Sequence, residues 1–469
     1  MIPSKLIVKM AQKEFFMKNN DYYRTGNFLD FSPAIFFITL YCSLFFYTLY
    51  TKNIYNTPRA IISELPLFVV FITTIYAFFT FKKNISIHNK ITFFLHGSMN
   101  EQLAYFYCSL ITATSFAHIL AKTGVISTII NLHIITLPSV LILPIIFCMA
   151  SLISIIIRSW IVSIILYLPI IFGLALSLQI NPALMIATTI SGIICGYQLI
   201  LPSIYTINNQ SYKEMIRLII PPLLSTLIIL SIYKYQILDP ALYTSLQSSI
   251  LQQDYISLLP FLVFLGAALL RINILINLIF GLSNTIIMGI LQDKILPLNA
   301  VLSIFEGFYN QRLMVKLLIF TVFLAGLSNL LTHNNGFNYL INSCKHKIKK
   351  LYIAEITIIF IISIINLITT FDFLSIKILS PITKNLSHQY SLSYQRIAGL
   401  LYVTTTIFSC LLPYSPIILI ATYLSNCSSM EIISYMIYPI LLYLYTILSI
   451  FTSQQEQVYA IKHSENISN

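Results

Sequence analysis

Long runs of apolar residues dominate this chain, and their lengths set the first expectation. They cover 32–50, 61–81, 103–121, 124–137, 139–157, 160–178, 182–206 and 216–233. After a polar stretch from Asp239 to Asp254 they resume at 256–278, 280–291, 313–331, 351–371, 397–420 and 431–452. A hydrocarbon core about 30 Å thick needs roughly 20 such residues per helix. The runs 124–137 and 280–291 fall short of that, and others are interrupted by Gly, Ser, Thr, Asn or Pro. The pattern predicts an all-α polytopic membrane protein with about 10 to 13 crossings, some short pieces being re-entrant. Continuous rather than alternating apolar positions exclude a transmembrane barrel.

The polar stretch divides the pattern into two hydrophobic halves, 31–235 and 256–452, joined by a linker at 236–255. A polar N-terminal segment, 1–30, and a polar tail, 453–469, flank them. Each half carries hydroxyl-rich interruptions: Gly97 to Asn100 and Thr112 to Ser115 in the first, Leu412-Pro413-Tyr414-Ser415-Pro416 in the second. Two prolines three apart free backbone carbonyls that can face a cation in place of lipid. Broken helices in corresponding halves point to the inverted repeats of a secondary transporter, with its substrate site at the breaks.

Composition narrows the class further. Of 469 residues, 57% are hydrophobic and 9% charged, against about 25% charged in an ordinary globular domain, and mean hydropathy is +0.84. A soluble enzyme and a disordered scaffold are excluded. The net charge of +12 would suit a nucleic-acid binder, but its distribution does not. Lys5, Lys9, Lys13 and Lys18 precede the first run, and Lys82, Lys83 and Lys90 follow the second. Lys345, Lys347, Lys349 and Lys350 form a third cluster. By the positive-inside rule these put the N-terminus and the loops near 85 and 347 on the cytoplasmic side. The seven cysteines are scattered with no CxxC spacing, which predicts neither a disulfide framework nor a zinc site.

Few polar groups are left to carry chemistry. On one helix Ser115, His118 and Lys122 fall at i, i+3 and i+7, with Thr114 close to the same stripe. Such a stripe faces protein or water, because lipid would leave it unsatisfied. Glu101, at the Gly-Ser-Met-Asn break, is a candidate titrating carboxylate, and His118 has the intrinsic pKa of a proton relay. Alternatively, Glu101 and Lys122 mark opposite interfaces of one helix, since 21 steps of about 1.5 Å match one bilayer crossing. Arg158 and Arg271 read as interface anchors or, if they line a cavity, as contacts for an anionic substrate. Ser191-Gly-Ile-Ile-Cys-Gly196 would let backbones approach closely or unwind. Of the 15 acidic residues none lies plainly mid-span: Glu64 and Glu355 begin runs, and Asp372 ends one. No Walker lysine loop, His/Cys ligand cluster or Ser/His/Asp signature is present, so neither enzymatic activity nor a cofactor or metal is expected.

Several of these segments, in order across most of 30–450, resemble the NhaC-type Na+/H+ antiporters of the ion-transporter superfamily. The resemblance runs through Gly97-Ser-Met-Asn100 and the stretch Leu143 to Pro169, whose Ser159-Trp160 sits where that family has Gly-Thr-Ser-Trp-Gly. It continues through Ser191 to Gly196, placed like a Ser-Gly-x-x-x-Gly-Asp run, and Phe323-Leu-Ala-Gly326. It ends at Leu412-Pro413-Tyr414-Ser415, similar to Leu-Ile-Pro-Trp-Ser. This chain departs from the family at Arg158 and Ile161, where glycines are replaced, at Tyr197, where an aspartate is expected, and at Tyr414. The resemblance implies exchange of Na+ for H+ by alternating access in a bacterial inner membrane, with a homo-oligomer open. The implied ion path uses Ser98, Asn100, Glu101, Thr112, Thr114, Ser115 and His118, with Gly192, Gly196, Pro413, Ser415 and Pro416 as broken-helix backbone. Transport of an organic anion or amino acid on the same scaffold, or a membrane subunit that transports nothing, are the alternatives. The partners expected are small ions or solutes and the lipid bilayer, without nucleic acid.

Overall fold

Backbone polar groups in lipid must be satisfied within the chain, and here helices do this throughout. The computed structural model describes residues 26–55, 60–82, 85–138, 141–204, 209–232, 255–309, 312–345, 351–389, 393–425 and 427–451. The N-terminal segment up to residue 25, the linker from 236 to 254, the tail, and Lys83, Lys347, Lys349 and Lys350 lie outside the described residues. Among the described residues there is no strand. The first half contains α1 (Phe28–Tyr55), α2 (Ala60–Thr80), α3 (Ile87–Ser98), α4 (Glu101–Lys122), α5 (Val125–Thr136), α6 (Ile142–Ile157), α7 (Trp160–Ser177), α8 (Pro182–Ile204) and α9 (Asn209–Ile232). The second contains α10 (Leu259–Leu269), α11 (Ile274–Leu291), α12 (Ala300–Tyr309), α13 (Arg312–His333), α14 (Gly336–Lys345), α15 (Leu351–Thr369), α16 (Asp372–Gln389), α17 (Tyr394–Leu411), α18 (Pro416–Ser425) and α19 (Ser429–Ser434). A last apolar helix, α20, covers Ile437–Phe451.

Among the described residues, eight stretches are long and apolar enough to cross a membrane, and six shorter apolar helices accompany them. The chain is an all-α, multi-pass membrane protein. Burial grades from centre to periphery. The apolar window of α8 is 94% buried, whereas that of α11 is 28% buried and exposes Ile276, Ile279, Phe280 and Ile287. Polar side chains follow the opposite gradient, with Thr188, Thr189, Ser191 and Gln198 of α8 all buried. This is the arrangement lipid demands: hydrocarbon outside, and hydroxyls and amides where other helices can partner them.

The structure corrects the reading of Gly192 and Gly196 as broken-helix backbone, because α8 is continuous through both. A Cβ at Gly192 would stand 2.4 Å from the carbonyl oxygen of Phe147, and one at Gly196 would stand 2.2 Å from that of Ser151. The two glycines let α8 lie directly on α6, and Ser151 Oγ donates across the seam to Gly192 O at 2.8 Å.

A second difference concerns 256–278 and 280–291. The helix stops at Leu269, Arg271 turns left-handed (φ 60°), and Asn273 caps a new helix by accepting from Leu275 N at 3.0 Å. What reads as one run plus a short remnant is a short α10 followed by an 18-residue α11. Of the hydroxyl-rich interruptions, Gly97 to Asn100 falls at the junction of α3 and α4, whereas Thr112 to Ser115 is no break, because α4 runs unbroken through it. Three further breaks stand out. Arg158 is left-handed (φ 61°) between α6 and α7, Leu412 to Ser415 separate α17 from α18, and Thr370 (φ 53°) separates α15 from α16. Pro416 occupies the first position of α18, where a missing N–H costs nothing, and Ser415 Oγ accepts from Ile418 N.

Candidate functional site

The polar stripe predicted on α4 exists and is mostly satisfied within the protein. Ser98, Thr112 and Thr114 donate back to the carbonyls of Phe94, Cys108 and Leu110, at 3.1, 2.7 and 2.8 Å. These bonds satisfy the hydroxyl protons within their own helices and need no bound ligand to account for them. Asn100 caps α4 by accepting from Leu103 N at 2.9 Å, and Glu101 beside it is exposed. Ser115, His118 and Lys122 do share a face, but that face packs against α12. Ser115 Oγ donates to Ile304 O at 2.8 Å, and Lys122 Nζ reaches Glu306 Oε2 at 2.5 Å. A Cβ on Gly307 would come within 2.8 Å of both His118 Cβ and Ser115 Cα. His118 Nε2 is 3.9 Å from the same carboxylate. Hydrogen bonding to Lys122 holds the half-exposed Glu306 carboxyl below the usual carboxylate range. The stripe is a seam between two helices with a charged end.

The strongest constellation lies elsewhere, at the break between α15 and α16. Asp372 ends an apolar run in the sequence, which places it at an interface. In the structure it is buried, with 4% of its surface exposed, at the first turn of α16. The segment after it contains Lys377, Pro381 and Lys384 and does not read as a span, so the apolar pattern gives no hint that protein closes over the carboxylate. Ser409 Oγ of α17 stands 2.5 Å from Asp372 Oδ1 and 3.1 Å from Thr370 O. Ser375 donates to Asn366 Oδ1 and shares a second hydrogen bond with Thr369.

Several buried polar atoms here have no hydrogen-bond partner among the described residues: Asp372 Oδ2, Asn366 Nδ2 and Thr370 Oγ1, with Thr404 Oγ1 on α17. Nor does any Lys, Arg or His among the described residues pair with Asp372. An ionised carboxylate taken out of water is costly unless something neutralises it. The N-terminal amides of α16 supply part of that stabilisation. The rest is left to a proton or a bound cation. The oxygens within reach, carboxylate, hydroxyl and carbonyl, form a hard donor set that suits a small hard cation.

Further contacts tie this break to its surroundings. Ending α15 early frees carbonyls of its last turn, and Tyr414 OH, from the break between α17 and α18, donates to Leu367 O at 2.6 Å. Two breaks are thus held together by one hydroxyl. Phe371 packs edge-on against Phe106 of α4 (5.0 Å between centroids), and Phe106 also meets Trp160, just after the Arg158 break (6.3 Å). A separate buried network lies across α8, α17 and α20. Gln198 donates to Thr406, and Tyr438 OH donates to Gln198 Oε1 at 2.6 Å. Gln198 follows Gly196 by two positions, close to where the family resemblance leads one to expect an aspartate.

Arg158 and Arg271 come together. Both line one open cleft of about 230 Å³, with Tyr105, Asn273 and Asn277 among its walls. Compared with known proteins, the chain matches no family model and no curated protein.

Proposed function

We propose that this protein is a secondary active transporter in which Asp372 binds either a proton or a cation. One observation carries the reading: a buried carboxylate without a cationic partner among the described residues, set at a helix break among hydroxyls and free carbonyls. One carboxylate can be neutralised by one bound proton or one bound monovalent cation at a time. Competition for a single charge is the simplest physical basis for exchange, and alternating access between the two halves turns it into antiport. The motif resemblance to NhaC-type antiporters makes Na+ against H+ the reading we favour. The basic clusters support a cytoplasmic N-terminus, and the motif resemblance makes a bacterial inner membrane the location we favour.

The test is reconstitution of the full chain in liposomes with a trapped pH dye, followed by external Na+, Li+ or K+. A dye response to Na+ that disappears in Asp372→Asn supports the reading. Silence with every cation overturns it and leaves a transporter of another solute or a membrane subunit that transports nothing. Transport of an organic anion or amino acid is the second reading, favoured by the two arginines in one cleft. Labelled-solute uptake would detect it.

A further inference from the structure

The cleft at the α6–α7 and α10–α11 breaks lacks its counter-charge. The guanidiniums of Arg158 and Arg271 form no ion pair or hydrogen bond among the described residues, and no acidic side chain lines the cleft. Tyr105 and Asn273 add to the donor character, whereas Asn277, with Nδ2 donated to Phe264 O and Oδ1 unpartnered among the described residues, does not. Tyr105 OH has no partner among the described residues, and Asn273 already uses its carbonyl oxygen to cap α11. The backbone sharpens the point. Both arginines occupy left-handed conformations that favour glycine, φ 61° and 60°. Strain retained by a side chain that makes no internal bond is characteristic of a residue kept for what it binds.

We propose that this cleft is a binding site for a phosphate group, held between the Arg158 and Arg271 guanidiniums. Two unneutralised guanidiniums match a phosphate's charge and its several acceptor oxygens, which arginine's fork engages in pairs. The volume fits a headgroup-sized ligand, at about eight waters' worth of space, and falls below that of pockets for drug-sized molecules. The phosphate could come from a free ester or from a lipid. The exposed Leu269, Leu270 and Ile272 at the rim favour a phospholipid headgroup, whose acyl chains would lie along them. The proposal does not depend on ion exchange, because it concerns binding and its test reads no transport.

The chain contains one tryptophan, Trp160, two residues after Arg158 and almost fully buried, which provides an intrinsic reporter. The full chain in a phosphate-free detergent, dodecyl maltoside, is titrated with inorganic phosphate. In parallel, mixed micelles are prepared with increasing phosphatidylglycerol. Trp160 emission and melting temperature are followed in both series. A saturable change in either series supports the proposal, and the series that responds identifies the source. Arg158→Gly and Arg271→Gly should each raise the midpoint at least about tenfold, the loss expected for charge-assisted bonds to phosphate. Glycine suits the left-handed backbone, so these variants fold at least as well as the parent. The proposal is overturned if neither readout moves with either probe. Equal midpoints in the double glycine variant, or the same response to potassium chloride at matched ionic strength, overturn it too.

Discussion

Ser409 Oγ lies 2.5 Å from Asp372 Oδ1, joining α17 to the first residue of α16 across a helix break. Among the described residues this contact is the one hydrogen bond to the Asp372 carboxylate, and it leaves the second oxygen unpartnered. Asp372→Asn keeps the shape of the side chain and removes its charge. It should abolish exchange while leaving the melting temperature equal to or above the parent's, because a buried unpaired carboxylate is a net cost to folding. Loss of exchange together with loss of fold would show instead that Asp372 is structural.

Ser409→Ala tests the same contact from the other side. A hydrogen bond to a charged group is worth about 1.5–3 kcal/mol, so its loss should weaken apparent cation affinity by roughly 10- to 100-fold. The measurement is the Na+ concentration giving a half-maximal dye response. An unchanged value would remove Ser409 from the site.

Glu101→Gln and His118→Ala separate the sequence-based reading of the ion path from the structural one. Glu101 is exposed at the start of α4, and the Ser115–His118–Lys122 face packs on α12. Both variants should retain exchange within about twofold, the scale expected for surface or seam positions. Loss of activity in Glu101→Gln with Asp372→Asn still active would reverse the assignment.

Gly196→Ala should destabilise by about 1–3 kcal/mol or more, since the added Cβ meets backbone that cannot rotate away. Gly266→Ala on α10 is the internal comparison: nothing lies within 4 Å of its Cβ position, so it should be neutral or stabilising by up to about 1 kcal/mol. Melting temperatures of the two purified variants decide the matter.

Arg396 donates to Glu355 Oε1 at 2.9 Å and to Ser449 O at 2.9 Å, tying together α15, α17 and α20 from a nearly buried position. Glu355→Gln should cost about 1–3 kcal/mol, because it removes a charged hydrogen-bond acceptor from Arg396 while Glu214 Oε2, 3.8 Å from Nη1, still faces the guanidinium. The double variant Glu355→Gln with Arg396→Met should recover most of that loss. Additive destabilisation would mean that the two side chains are not coupled.

The sequence alone determined the class of the protein. Hydrocarbon thickness and backbone hydrogen bonding act on every residue in turn, so 9% charge and successive apolar runs suffice to specify a helical membrane protein. It also marked one place where helices would stop, because the two prolines at 413 and 416 are local punctuation. Which polar groups would meet was decided only in three dimensions. Asp372 reads as the end of a run until α17 lays Ser409 against it, and Glu355 begins a run until Arg396 reaches it from another helix. Gly192 and Gly196 suit unwinding or close packing equally well until α6 occupies the space. Arg158 and Arg271 are separated by more than a hundred residues and share a cleft because two helix breaks pack side by side. Burial of a polar group is a property of its neighbours, and for these residues the neighbours are distant in sequence.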